Sequence, residues 1–203
     1  PEEFTSRLHS YNLGANFDFE LTERGSGKPS IPSPDEAGWS GTSLVSAAIG
    51  YSVKVTPLQV AAFYNAIAND GKMMKPYIVE RIEKDGVAQQ EFEPVLLNSV
   101  CSKATADTLT RALKQVTTEG TAKRLNKAKC QVAGKTGTAV QKYDGTRRHQ
   151  LTFCGYFPAD DPKYSAIVVV WYPMAPVYPS AGGISGEVFK NIAERVYAQS
   201  ELT

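Results

Sequence analysis

The chain has 203 residues, of which 42% are hydrophobic and 21% charged, with a formal net charge of +1. That balance fits one sizeable globular domain with a real core, and it excludes a dedicated nucleic-acid binder, which would carry a strong basic excess. Cys101, Cys130 and Cys154 are odd in number and form no C-x-x-C pair, and the histidines are His9 and His149 alone, so zinc-ribbon and thioredoxin-type sites are excluded and no metal site is expected. Cys130 and Cys154 lie in apolar runs and are expected to pack as small buried hydrophobes.

Taken in chain order, Phe4 to Glu36 mixes Gly, Ser and Pro with isolated aromatics and ends in Lys28-Pro29-Ser30-Ile31-Pro32-Ser33-Pro34. Prolines this close forbid a helix, so residues 1–40 read as an extended connecting lobe. Residues 41–125 read as mainly helical. Thr56-Pro57-Leu58-Gln59 combines a threonine N-cap, a proline at the first helical position and a glutamine at the third, which predicts a capping box. Val60, Phe63, Tyr64, Ile67 and Ala68 follow at helical spacing, and Gly71 ends a largely buried helix. Between Tyr77 and Phe92, Asp85-Gly86 predicts the turn of a small peripheral hairpin. A second helix is expected from Lys103 to Glu119, with Ala106, Leu109, Leu113 and Val116 on one face.

Residues 126–203 read as sheet strands and a last helix. Strands are expected at Cys130 to Gln141, Leu151 to Phe157 and Tyr164 to Tyr172; the polar, proline-bounded turn 158–163 makes the last two antiparallel neighbours. A helix from Ser185 to Gln199, with Val188, Phe189, Ile192, Ala193, Val196 and Tyr197 on one stripe, should lie across that sheet. Ala166 to Tyr172, the longest strongly apolar run, is far short of the roughly 20 residues a bilayer-spanning helix needs, so no membrane span is expected. Two basic clusters, Lys123, Arg124, Lys127 and Lys129, then Arg147, Arg148 and His149, read as solvated faces or loop tips.

Gly134-Lys135-Thr136 matches the end of a phosphate-binding loop, but Lys129 stands where that loop needs its first glycine, and residues 130–133 read as strand. Lys142, Asp144 and Gly145 then suit a turn, so no helix N-terminus follows to receive a phosphate. Read as a strand, Lys135-Thr136-Gly137-Thr138 has different chemistry. Gly137 lets an extended backbone approach closely, and Thr136 and Thr138 project to one side with hydroxyls suited to a carboxylate. Lys135 attracts the same carboxylate and favours the deprotonated form of nearby hydroxyls. A backbone N–H of the strand can serve an oxyanion hole. An ordinary strand with a surface lysine and β-favouring threonines fits these four residues equally well.

Lys135-Thr136-Gly137-Thr138 resembles the K-T-G motif of penicillin-binding proteins and serine β-lactamases. Gly50-Tyr51, Val55 to Ala61, Tyr64 to Gly71, Glu119-Gly120-Thr121-Ala122, Ala133 to Ala139 and Phe153 to Pro162 resemble segments of class B penicillin-binding proteins in the same order, covering the chain from about Tyr11 onward. The resemblance is closest to the monofunctional peptidoglycan transpeptidases of cell division. It implies an α+β fold, an antiparallel five-stranded sheet flanked by helices with the active site along one edge strand, present here only as its C-terminal part. It implies Lys135 and Thr138 as catalytic, the first ordering charge around a serine and the second giving a backbone oxyanion donor. Thr136, Gly137 and Thr138 are implied as substrate-binding, holding the carboxylate of a D-Ala-D-Ala stem peptide or a β-lactam. The chemistry it implies needs no metal or organic cofactor. Further partners implied are the upstream part of the domain and division or elongation complex proteins, at the extracytoplasmic face of the inner membrane, with no nucleic acid.

The sequence departs from that pattern at the nucleophile. No serine has a lysine three positions on, so the family's S-x-x-K motif is missing, and Ser10-Tyr11-Asn12 meets the S-x-N pattern only formally. Without that serine and lysine within hydrogen-bond reach of each other, no acyl-enzyme can form. The start at Pro1-Glu2-Glu3-Phe4, without an initiator methionine, favours a C-terminal piece of a larger transpeptidase, inactive alone, over a free-standing non-catalytic penicillin-sensing or division-scaffold module. A D,D-carboxypeptidase or β-lactamase shares Lys135-Thr136-Gly137 but matches Thr56 to Gly71 less well.

Overall fold

The computed structural model describes residues 1–17, 28–143, 145–171 and 180–200. Its elements run α1 (Glu2–Ser10), α2 (Ser43–Ala48), α3 (Pro57–Ala68), β1 (Lys72–Met74), β2 (Arg81–Lys84), β3 (Val87–Glu91), β4 (Leu96–Ser99), α4 (Lys103–Thr118), a 3-10 turn (Lys123–Lys127), β5 (Ala133–Tyr143), β6 (Thr146–Phe157), β7 (Tyr164–Trp171) and α5 (Ser185–Ser200). Strands β5, β6 and β7 form an antiparallel sheet in that order, while β1 pairs with β4 and β2 with β3 in separate two-stranded ribbons.

The capping box forms as the sequence predicts. Gln59 N–H donates to Thr56 Oγ1 at 3.2 Å, and Thr56 N–H donates to Gln59 Oε1 at 2.8 Å. Gln59 is itself buried, and its amide nitrogen donates to the Ala15 carbonyl, so this helix start also anchors the segment after α1. The two-residue loop Asp85-Gly86 has positive φ at both positions, 53° and 77°, as the right-handed twist of a tight hairpin requires. Every residue of β2 and β3 is exposed, so this hairpin is peripheral.

Each face of the main sheet carries its own apolar contact. On one, Phe153 and Phe157 meet Phe189 of α5 edge to face, with centroids 4.8 and 5.7 Å apart, and Leu125, Val132 and Ala193 close the cluster. Ser185 at the start of α5 is fully buried and donates to the Leu151 carbonyl at 2.8 Å. On the other face, Tyr156 shares a 2.7 Å hydrogen bond with Thr110 of α4 and packs with Ile67 of α3, and Asn65 of α3 donates to Ser165 of β7 at 3.0 Å. Cys130 and Cys154 are buried free thiols, as their apolar surroundings predict.

Several expectations need correction. Residues 2–10 are helical, although they fall in the stretch read as extended. Glu2 and Glu3 in the first turn and Arg7 and His9 in the last complement the helix dipole, while the prolines that forbid a helix begin only at Pro29. The remainder of that lobe is non-helical from 28 to 42, where Ser30 and Lys54 exchange backbone hydrogen bonds of 2.8 Å, and residues 18–27 lie outside the description. On α5 the expected stripe is narrower: Phe189 and Ala193 are buried, whereas Val188 and Ile192 remain 44% and 40% exposed. Leu109 of α4 is likewise 37% exposed. These residues sit at the flanks of their helices' contacts, and no described element covers them. The β1–β4 ribbon, α2 and the 3-10 turn have no counterpart in the sequence-based expectations.

Two measurements follow. Phe153→Ala removes the ring at the centre of the larger cluster and should cost about 3–5 kcal/mol in chemical unfolding, against about 1 kcal/mol for Thr56→Ala, which removes the cap. Burial pushes the Cys154 thiol up to about 12, and it raises Cys130 as well. A thiol whose pKa is raised on folding stabilises the native state fully below its unfolded pKa, about 8.5. Stability should therefore fall as pH rises from about 9 toward 12, and a thiol reagent at pH 8 should modify Cys130 and Cys154 only after denaturation.

Candidate active site

The candidate site is built on β5, which pairs with β6 on one side and with no described strand on the other. In an antiparallel ladder the N–H and C=O of one residue point the same way and alternate along the strand. The inward set is the odd-numbered one: the Gln131 carbonyl accepts from Ala159 N–H at 2.8 Å, and a Cβ on Gly155 of β6 would overlap the Ala133 carbonyl oxygen. Two of the even-numbered carbonyls are held by side chains off the sheet. Val132 accepts from Thr117 Oγ1 at 2.7 Å and Thr136 from Lys135 Nζ at 2.9 Å. By that alternation the N–H and C=O of Thr138 also face the open edge.

Side chains divide between faces by the same period of two. Thr136 and Thr138 stand opposite Phe153 and Leu151, on the α5 side, as the sequence predicts for a pair two apart. Lys135 stands opposite Cys154, whose Sγ contacts the Val60 carbonyl of α3, so the lysine starts from the other face. It curls around the strand edge, and its ammonium donates to both the carbonyl and, at 3.2 Å, the hydroxyl of Thr136. Lys135 is exposed, and among the described residues no carboxylate pairs with it. The edge thus carries an uncompensated positive charge beside hydroxyl groups.

Thr136 is half-buried because a second loop reaches it. Thr121 Oγ1 lies 2.7 Å from Thr136 Oγ1, bringing the turn after α4 onto the lysine strand. Gly120 allows that turn, since a Cβ there would come within 2.9 Å of the Val116 Cα. Sequence reasoning names Glu119-Gly120-Thr121-Ala122 as a family-like segment, but nothing in its spacing indicates that Thr121 meets Thr136. Thr138 and Gly137 are exposed. A Cβ on Gly137 would meet only the Thr152 side chain, at an ordinary 3.7 Å, so the chain's own packing does not require a glycine there. By contrast a Cβ on Gly134 would lie 2.6 Å from the Phe153 ring and 2.7 Å from the Cys154 carbonyl oxygen.

Ser10 and Asn12 are engaged elsewhere. Ser10 Oγ donates to the Arg7 carbonyl at 2.7 Å, and Asn12 Nδ2 donates to Asn98 Oδ1 of β4 at 2.8 Å, which fits a fortuitous S-x-N match. Lys135, Thr136 and Thr121 form one hydrogen-bonded group on an open strand edge, with Thr138 next along it.

A family model for the penicillin binding protein transpeptidase domain matches residues 1–194. Penicillin-binding protein PbpB of Mycolicibacterium smegmatis is 33% identical over 208 residues, which cover 95% of this chain and 31% of that protein. Penicillin-binding protein H of Bacillus subtilis is 34% identical over 95% of this chain and 27% of its own length. Among solved structures, penicillin binding protein 3 of Mycobacterium tuberculosis in complex with ampicillin superposes with a TM-score of 0.83 at 30% identity, covering 99% of this chain and 46% of that one. The chain therefore spans under a third of these two relatives and under half of the crystallised protein. The mixture of helices and antiparallel sheet, the matched residues and these likenesses agree: the chain belongs to the penicillin-binding protein transpeptidase domain family, in its class B branch.

Proposed function

We propose that this chain provides the carboxylate-holding edge of a peptidoglycan D,D-transpeptidase that β-lactams inhibit. The observation that carries the reading is the Lys135 ammonium seated on Thr136 at an open strand edge, with the backbone of Thr138 directed outward beside it. The Thr138 hydroxyl and the ammonium attract the terminal carboxylate of a D-Ala-D-Ala peptide or a β-lactam, and Gly137 leaves room for its backbone. The ampicillin complex of a relative is consistent with such a ligand.

In this reading the serine and its activating lysine come from another part of the polypeptide, because no S-x-x-K occurs in these residues. The serine oxygen attacks the carbonyl carbon of the penultimate D-alanine. The developing oxyanion accepts from Thr138 N–H, the peptide bond breaks, and the departing D-alanine amine takes up a proton. The resulting ester is then attacked by an acceptor amine, which regenerates the serine hydroxyl. The chain's own residues bind, orient and stabilise charge in these steps. A free-standing module that only binds penicillin is favoured by the missing motif alone, and the same experiment separates the two. The site faces the extracytoplasmic compartment where peptidoglycan is cross-linked, and among the described residues no helix is long and apolar enough to cross a membrane.

The full-length protein should form a covalent adduct with a fluorescent penicillin, and this chain alone should not; labelling of the isolated chain would place the nucleophile within it and overturn the assignment. Reversible binding with no adduct from the full-length protein would support the binding module instead. Lys135→Ala in the full-length protein should lower the acylation rate constant roughly 10- to 150-fold, the equivalent of about 1.5–3 kcal/mol for a hydrogen bond to a charged group. Thr138→Pro deletes one outward N–H, which an edge strand tolerates, and should slow acylation about 100- to 1000-fold while leaving the unfolding midpoint close to wild type.

A further inference from the structure

The Thr136 hydroxyl has two neighbours. Lys135 Nζ donates to its oxygen at 3.2 Å, and Thr121 Oγ1 lies 2.7 Å from it. Among the described residues no other group reaches that oxygen. A threonine hydroxyl carries one proton and two acceptor lone pairs, whereas an ammonium only donates. Lys135 therefore occupies one lone pair, and the other lone pair and the proton are shared between Thr121 and whatever binds at the open edge. An arriving carboxylate decides that division, because it can only accept. The Thr136 proton goes to the carboxylate, and Thr121, which can change from acceptor to donor by rotating its own hydroxyl, fills the remaining lone pair.

Thr121 is not needed to hold its own loop. Gly120 N–H donates to the Gln115 carbonyl at 2.9 Å and Ala122 N–H to the Val116 carbonyl at 3.0 Å. Ala122 is buried in the cluster of Phe153 and Phe189, and Gly182 packs so closely on the Thr121 carbonyl that no Cβ fits there. Main chain and neighbouring packing thus fix the loop, and the Thr121 side chain is itself exposed. A hydroxyl pair open to water adds little to stability, since water can replace either partner. What the pair does fix is the direction of a proton.

We infer that Thr121 is a positioning residue for the carboxylate site: by donating to Thr136 Oγ1 it leaves the Thr136 proton to the acid group of the ligand. With two donors on its oxygen the Thr136 hydroxyl is also a stronger donor, because hydrogen bonds in a chain polarise one another. Thr121 acts through Thr136, and its role rests on the carboxylate-holding edge proposed above.

The test uses the full-length protein and one penicillin offered as the free acid and as its methyl ester, with the second-order acylation constant measured for each. Wild type should favour the acid. Thr121→Val, which keeps the side chain's shape and removes its hydroxyl, should slow the acid about 2- to 12-fold, the range of one neutral hydrogen bond, and leave the ester almost unchanged. Thr121→Ser should keep the wild-type acid-to-ester ratio. In a Thr136→Val background the loss of the Thr121 hydroxyl should cost nothing further, since the two act as one unit. A variant that folds poorly lowers both constants together and leaves the ratio where it was, so the ratio separates positioning from a structural defect. A ratio unmoved by Thr121→Val, or effects of Thr121→Val and Thr136→Val that simply add, overturns the inference. Wild type that prefers the acid, with Thr121→Val preferring it equally, would dismiss the role of Thr121 alone. Wild type that takes acid and ester at one rate would dismiss the carboxylate-holding edge together with it, and no adduct from either ligand would dismiss the transpeptidase reading as well.

Discussion

Gly134 and Gly155 face each other across the β5–β6 ladder, and a side chain at either would run into backbone or into the buried Phe153 ring. Their absence of side chains lets the two strands keep a regular register from Ala133 to Tyr143. Regularity here has chemical content, because it decides which peptide groups are consumed by the sheet and which are left at its margin. One residue of slip would exchange the two sets and turn Thr136 and Thr138 away from α5. The backbone donor at Thr138, the carbonyl held by Lys135 and the division of lysine and threonines between faces all depend on that register.

Helices hold the ladder from both sides. Phe189 and the buried Ser185 fix α5 to β6, the Thr110–Tyr156 hydrogen bond fixes α4, and Asn65 ties α3 to β7. Thr117 has an additional part, since its one hydroxyl contacts both the Lys114 carbonyl within its helix and the Val132 carbonyl at the start of the lysine strand. Helix α4 and the loop that follows it therefore hold the first half of that strand at two points, Val132 and Thr136, while among the described residues β6 is the strand that pairs with the second half. Along the far margin of the sheet, Tyr164 and Trp171 at the two ends of β7 are 45% and 54% exposed.

Where local chemistry decides a structure, the sequence is readable. Thr56 to Gln59 contains all the groups of its capping box, Asp85-Gly86 contains the backbone freedom of its turn, and the proline-bounded segment 158–163 leaves the chain little choice but to reverse. Lys135 to Thr138 reads correctly as a strand because the residues around it alternate and its glycine count is too low for a loop. Other features arise only from tertiary contact. The β1–β4 ribbon joins short strands separated by an exposed hairpin, and neither has enough alternation to declare itself. Helix α1 is hidden because it shares its stretch with the prolines at 29, 32 and 34, which dominate the local composition but lie well beyond the helix. The approach of Thr121 to Thr136 depends on where α4 ends relative to the sheet, and no spacing rule contains that distance. Nor does the helical period reveal which flank of α5 stays uncovered, since Val188 and Phe189 are equally apolar and differ only in what they face.

The β2–β3 ribbon offers a practical consequence of its isolation. Both strands are exposed throughout, its backbone hydrogen bonds are local, and its turn at Asp85-Gly86 stands clear of the lysine strand and of the aromatic cluster around Phe153. Polypeptide spliced into such a tip perturbs little beyond it. That makes the junction a natural place to graft a fluorescent reporter or an affinity handle, and the same openness makes it the bond a protease would find first.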